Sequence, residues 1–291
     1  MARFLSVTLN GLSGGMIYAA VALSLVLIWR ATRVLNFAQG AMAMFTTYLA
    51  YAVLDRGGSY WVAFVVALVC GLLLGGFVER VLVRPVETGP PLNAVVVTLG
   101  IFIFLQALAG LIWGGRFRSF PTSFSNKNYH WGDISALAPF DIFIIVAVFV
   151  VAVLLAVLFQ LTDIGLRMRA AAFEGEVARM LGVRVGRMLT LGWALAAVVG
   201  SLAGILVAPS VFLHPNNMDG VFVFGFTAAV IGGLDSPVGA ILGGLGLGVL
   251  LSYVASYAGG DLQTLAALAV LVFILMVKPS GLFTTTATRR V

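Results

Sequence analysis

Nine stretches of the chain contain no Asp, Glu, Lys or Arg: residues 4–29, 34–54, 57–78, 88–115, 142–162, 188–218, 220–234, 236–260 and 262–277. Seven of them exceed the roughly 20 residues that a helix needs to cross about 30 Å of hydrocarbon at about 1.5 Å per residue. Lipid offers the backbone no hydrogen bonds, so such segments satisfy their own amides and carbonyls as helices. The runs are continuous rather than alternating, which gives a barrel no support. Only 10% of the 291 residues are charged and 61% are hydrophobic, against about 25% charged in soluble domains. A water-facing surface cannot be built from so few charges. The chain is therefore expected to be all-α: a polytopic transmembrane helical bundle of about eight to ten spans, one domain over residues 1–291.

Two runs are short. Residues 220–234 and 262–277 hold 15 and 16 residues, about 23 Å each at helical rise. The first ends in Gly232-Gly233-Leu234-Asp235-Ser236-Pro237. Glycines stop a helix, and Ser236 as N-cap with Pro237 behind it starts the next. A broken or re-entrant helix is expected there, and backbone of that kind at membrane depth must be buried or line a cavity.

The basic residues set an orientation. Taking alternate connections, one side collects twelve: Arg30, Arg33, Arg80, Arg84, Arg167, Arg169, Arg179, Arg184, Arg187, Lys278, Arg289 and Arg290. The other holds five: Arg3, Arg56, Arg116, Arg118 and Lys127. The richer side is expected to be cytoplasmic, with the N-terminus outside and the C-terminus inside if every run crosses. This placement also accounts for the net charge of +6 without nucleic acid. Residues 116–139 then form an external loop with an aromatic anchor at Tyr129–Trp131, and residues 163–187 form the longest cytoplasmic segment. The first run is too long for the apolar core of a signal peptide.

Few residues offer chemistry. No Gly-Lys-Ser/Thr is present, because Lys127 precedes Asn128 and Lys278 precedes Pro279, so no phosphate loop exists. His130 and His214 stand alone, leaving no metal set, and Gly11-Leu12-Ser13-Gly14 has no histidine at its depth to activate the serine. The lone Cys70 forms no disulfide. No enzyme, cofactor or metal is expected. No charge lies near the centre of a clear span, which argues against ion-coupled transport. In the cytoplasmic segment, Phe173, Val177, Met180 and Leu181 share one helical stripe, Glu174 and Arg179 lie off it, and Gly182 is a helix stop. That helix either rests in the lipid interface or docks a cytosolic partner. Asn36 and Gln39, three apart, would present both amides on one helical face. Pairs such as Gly71–Gly75 and Gly239–Gly243 allow close helix packing.

Several stretches together resemble the LivH-type permeases of high-affinity branched-chain amino acid ABC importers. They include Gly14 to Leu23 in the first helix, Arg33-Val-Leu-Asn-Phe-Ala-Gln-Gly40, Thr98-Leu-Gly100 with Leu105-Gln106 and Trp113-Gly114, residues 165–183, Val230 to Ala240, and Lys278-Pro-Ser-Gly-Leu-Phe283. The resemblance covers nearly the whole chain in the family's order. It implies the type II ABC importer permease fold in a bacterial plasma (inner) membrane. It also implies four kinds of neighbour: a second homologous permease, two cytosolic ATPases, an external solute-binding protein and membrane lipid. ATPase coupling would fall to Phe173, Glu174, Val177, Arg179, Met180, Leu181 and Gly182. The translocation path is expected near Asn36, Gln39, Thr98, Gly232, Gly233, Asp235 and Ser236. Ala41 stands where the family often has an acid, and Asp235 where a glycine is usual. Amides and urea therefore stay open beside branched-chain amino acids. The alternative reading is a secondary transporter of a small polar solute.

Overall fold

Each of the nine charge-free runs becomes a helix in the computed structural model, which describes residues 2–86, 89–125, 127–131, 134–135 and 137–283. Arg289 and Arg290, Thr88, and residues 126, 132, 133 and 136 of the 116–139 loop lie outside the described residues. In chain order the helices are α1 (Ala2–Thr32), α2 (Gln39–Asp55), α3 (Tyr60–Phe77), α4 (Pro91–Trp113), α5 (Pro139–Leu161), α6 (Asp163–Phe173), α7 (Gly175–Met180), α8 (Val185–Val211), α9 (Asp219–Gly232), α10 (Pro237–Tyr257) and α11 (Leu262–Val277). Between α4 and α5 lies a two-stranded hairpin, β1 (His130–Trp131) with β2 (Ile134–Ser135). Among the described residues six helices are long and apolar enough to cross a membrane: α1, α3 with its continuation to Val86, α4, α5, α8 and α10. The shorter α9 and α11 are apolar as well.

Local chemistry explains the ends. Ser59 and Ser236 accept hydrogen bonds from the amides of Val62 and Gly239 at the starts of α3 and α10, as N-caps do. Pro91, Pro139 and Pro237 occupy first-turn positions, where no intrahelical amide is needed. The α3 helix widens into a π-turn over Val78–Val83. Gly233 closes α9 with φ 93°, a conformation that glycine adopts without strain.

Helices α1 and α8 form the centre, each wrapped on nearly all sides, as expected of helices that are hydrophobic all round. Small residues let their neighbours close in. A Cβ placed on Gly15 of α1 would lie 3.0 Å from the Gly244 carbonyl oxygen of α10, and one on Gly75 of α3 would lie 2.6 Å from the Trp193 carbonyl oxygen of α8. Dispersion between closely approached backbones holds helices together where hydrophobic burial gives no advantage over lipid. Polar side chains add cross-links: Ser13 donates to Asp141 at 2.7 Å, and Thr46 donates to Ser201 at 2.9 Å. Helices α4, α5 and α11 turn rows of large apolar residues outward, including Ile103, Phe104, Leu154, Leu161, Phe273 and Met276. Such rows suit lipid or another membrane subunit.

The structure corrects three expectations. The break at residues 232–236 does not lie deep in the bundle. It turns at the arginine-rich end, where Asp235 pairs with Arg33 at the close of α1. The α9 helix is short at its other end instead. There the 212–218 segment runs inward beside α4, from the Leu213–Arg118 bridge to Asp219, which accepts a hydrogen bond from Gln106 at 2.8 Å. Gln106 lies seven residues below Trp113, the end of α4, or about 10 Å at helical rise. Second, a carboxylate therefore does sit at depth, although Asp219 reads in sequence as a mere boundary between two runs. Third, residues 173–181 are not one helix: the chain leaves helical geometry at Glu174 (φ −148°, ψ 88°), and α6 and α7 meet there.

Candidate functional site

Two groups of residues at the arginine-rich end carry the candidate chemistry. The first is the α6–α7 knob. Its inner side is made of small residues: Ala171 and Ala178 pack against Val185 and Leu189 of α8. Its outer side is large and apolar, with Phe173 91% exposed, Met180 85% and Leu181 78%. Val177 is half exposed beside them, and Glu174 and Arg179 are open to the surroundings. The break at Glu174 redirects the chain, so this patch is a two-helix corner rather than one stripe. Gly182 ends it with φ 82°. A cluster of large apolar side chains turned outward above buried alanines marks a surface that something else covers.

The chain directly after the knob is tied to the bundle. Glu79, 1% exposed, holds Arg84 through both carboxylate oxygens, with contacts of 2.8–3.0 Å. Arg84 also donates to the Gly186 carbonyl at 2.6 Å and meets Thr190 at 2.7 Å. Thr190 in turn donates to Glu79 at 2.7 Å. This network clamps the end of α3 onto the first turn of α8, directly after the knob. Sequence reasoning counted Arg84 only toward orientation. The available signal was an acid five residues before an arginine at the end of an apolar run.

The second group is the connection from α1 to α2. Asn36 is not on the α2 helix, contrary to the expectation of two amides on one helical face. It precedes the helix, and its side-chain oxygen accepts from the Ala38 amide at 3.0 Å, forming an Asx turn. Its amide nitrogen donates to Gln39 Oε1 at 3.0 Å, and Gln39 Nε2 donates to the Ala196 carbonyl of α8 at 3.0 Å. Both side chains are 1% exposed. Thr98, also buried, donates to the Val95 carbonyl at 2.9 Å and reaches the Leu35 carbonyl at 3.5 Å. Asn36, Gln39 and Thr98 thus gather around one loop, with their polar groups met inside the protein. Phe37 of the same loop turns toward Phe222 and Phe226 of α9, at ring separations of 6.5 and 6.4 Å.

Gly232, Gly233, Asp235 and Ser236 lie at the same end but join it differently. Gly232 packs against Gly239, Gly233 against Gly281, and the turn is held by Arg33–Asp235. The turn segment after α11 adds the amides of Leu282 and Phe283 to the carbonyls of Ile231 and Gly232, at 2.8 and 3.3 Å. Sequence reasoning missed the polar group at the opposite end. There Asp219 receives Gln106 and Asn216, and the side-chain amide of buried Asn217 has no hydrogen-bond partner among the described residues.

A family model described as the permease component of branched-chain amino acid transport systems matches residues 7–277. The chain is 29% identical to the high-affinity branched-chain amino acid transport permease LivH of Escherichia coli (strain K12), across 96% of this chain and 95% of that protein. It is 26% identical to the BraD permease of Pseudomonas aeruginosa, over the same shares of the two chains. A metal-chelate type ABC transporter solved in an inward-facing conformation has a similar fold, with TM-score 0.54 and 16% identity over 92% of this chain and 86% of that one.

Proposed function

Because the chain belongs to the branched-chain amino acid transport permease family, we propose that it carries a branched-chain amino acid across the membrane in the importer it serves. It is a multi-pass permease subunit of an ABC importer in the inner membrane, and such permeases act with ATPase and solute-binding components. The finer reading is that two ATPases lie beneath this chain and a second homologous permease, that the chain has no catalytic activity of its own, and that the arginine-rich end faces the cytoplasm. The observation that carries it is the α6–α7 knob, whose Phe173, Met180 and Leu181 stand outward at the end where twelve basic residues were expected. ATP binding would draw the ATPases together and move the knobs. The Glu79–Arg84–Thr190 clamp would pass that motion to α3 and α8. The solute path would run where α4, α9 and the 34–38 loop meet, with Asn36, Gln39 and Thr98 as its supports and Gly232, Gly233, Asp235 and Ser236 fixing α9. Smaller amides or urea would fit the same neutral lining.

Reconstitution tests the function. With its ATPases and binding protein, the permease should accumulate radiolabelled leucine only when ATP is supplied; accumulation driven by an ion gradient without ATPases would make it a secondary transporter instead. Orientation is tested on a Cys70→Ser background. Ser123→Cys should react with an impermeant maleimide in intact cells, and Glu176→Cys only after permeabilisation, since both positions are exposed at opposite ends. The reverse pattern would invert the topology.

A further inference from the structure

Two adjoining cavities of about 540 and 530 Å3 open at the arginine-rich end, and they share Leu27, Arg30, Phe159 and Arg169 as their common wall. The first lies under the knob, against Leu166 and Phe173. The second is a trough between α5 and α10. Its floor follows α1 from Arg30 to Leu23, and its sides are Ala152 and Leu155 of α5 and Ile241 of α10. From Gln160 to Ala152 it descends eight residues of α5, about 12 Å at helical rise. The trough is charged at the mouth and apolar along its length.

The charge at the mouth is unbalanced. No carboxylate lines either cavity. Arg30 feels the like charges of Arg169 and Arg33, and the one opposing charge it feels, Asp235, is already paired with Arg33. Among the described residues neither Arg30 nor Arg169 is in an ion pair, the two such pairs being Arg33–Asp235 and Arg84–Glu79. Guanidinium groups are the preferred partners of phosphate, because their fork of donors matches its oxygens. Helices α5 and α10 flank the trough with outward apolar residues, Val157 and Leu161 on one side and Val238 and Leu242 on the other. An opening flanked in this way suits hydrocarbon.

We propose that the Arg30–Arg169 mouth binds the phosphate of an anionic phospholipid, with one acyl chain lying in the α5–α10 trough. Basic pockets between transmembrane helices at the headgroup level hold anionic lipids in this way. A free phosphate would satisfy the arginines but leave the apolar trough unfilled. The bound lipid would wedge between the core helix α1 and the base of the knob, so its presence would set how firmly α6 is seated.

The test uses the assembled importer in phosphatidylcholine vesicles containing a minor fraction of phosphatidylglycerol, with bound lipid read by native mass spectrometry. The wild type should retain phosphatidylglycerol over phosphatidylcholine, and Arg30→Gln with Arg169→Gln should lower that preference about tenfold or more. Arg116→Gln at the far end should leave it unchanged. If the double variant does not assemble, Arg169→Gln alone serves, because its side chain is exposed on α6. Excess inorganic phosphate should not release the lipid from the wild type. Equal retention in wild type and variant, or release by inorganic phosphate, overturns the proposal.

Discussion

Phe173→Asp is expected to lower solute uptake by the reconstituted importer about a hundredfold and to bring ATP hydrolysis stimulated by the loaded binding protein down to its basal rate. In the free permease the ring is 91% exposed, so an aspartate there costs the fold almost nothing, and the stability should change by no more than surface substitutions do, about 0.5 kcal/mol. In the complex the same position would bring an unpaired carboxylate into an apolar groove and remove an aromatic anchor. Losses of about 2–4 kcal/mol are typical for truncating such anchors, and about 2.8 kcal/mol corresponds to a factor of one hundred. Leu181→Asp, 78% exposed on the other side of the corner, should act in the same direction. Glu176→Gln, on the polar side of α7, should change little. Wild-type uptake with wild-type ATPase stimulation in Phe173→Asp would remove the knob from the coupling path.

The outline of this molecule was legible because lipid imposes one rule throughout. A long run without charge must build most of itself as helix, and each of the nine runs holds one. Local capping was legible for the same reason: Ser236 and Pro237 announce the start of α10 in their own chemistry. The glycine pairs Gly71–Gly75 and Gly239–Gly243 do sit where backbones approach, against α8 and α9 respectively.

What stayed hidden depends on contacts between distant segments. Nothing within residues 212–220 reveals that the chain turns inward beside α4, because that depth is set by Leu213 meeting Arg118 and Asp219 meeting Gln106. The break at Glu174 was obscured by good helix formers on both sides, with Gly175 as the one local hint. The Phe37–Phe222–Phe226 cluster joins a loop to a helix about 190 residues away. Periodicity cannot report such a pairing. The candidate coupling residues were readable as an apolar pattern, since exposure is what that pattern encodes. Asn36 and Gln39 were readable only as polar groups in need of partners, and each turned out to be a partner of the other.

That distinction yields the second large effect, at Asn36 and Gln39. Each amide is fully buried, and the pair forms a chain from the Ala38 amide through Asn36 and Gln39 to the Ala196 carbonyl. Asn36→Leu orphans the Ala38 amide and the Gln39 acceptor, and Gln39→Leu leaves the Asn36 donor only the weak Met42 sulfur contact at 3.6 Å. A buried polar group left without a partner costs about 1–3 kcal/mol. Each single variant should therefore lower permease stability by that amount, and the double variant by less than the sum, because the two residues satisfy each other. Gln39→Glu discriminates further. It keeps the acceptor for Asn36 but turns a carboxylate oxygen toward the Ala196 carbonyl, so it should be more destabilising than the apolar Gln39→Met. Molecules that do fold should transport with an unchanged KM, since both amides are buried and bonded within the protein. Thermal unfolding of the purified permease, read beside uptake kinetics per folded transporter, separates the two roles. An unchanged thermal midpoint with a raised KM would put these amides in contact with solute and show that the hydrogen-bonded chain opens during transport.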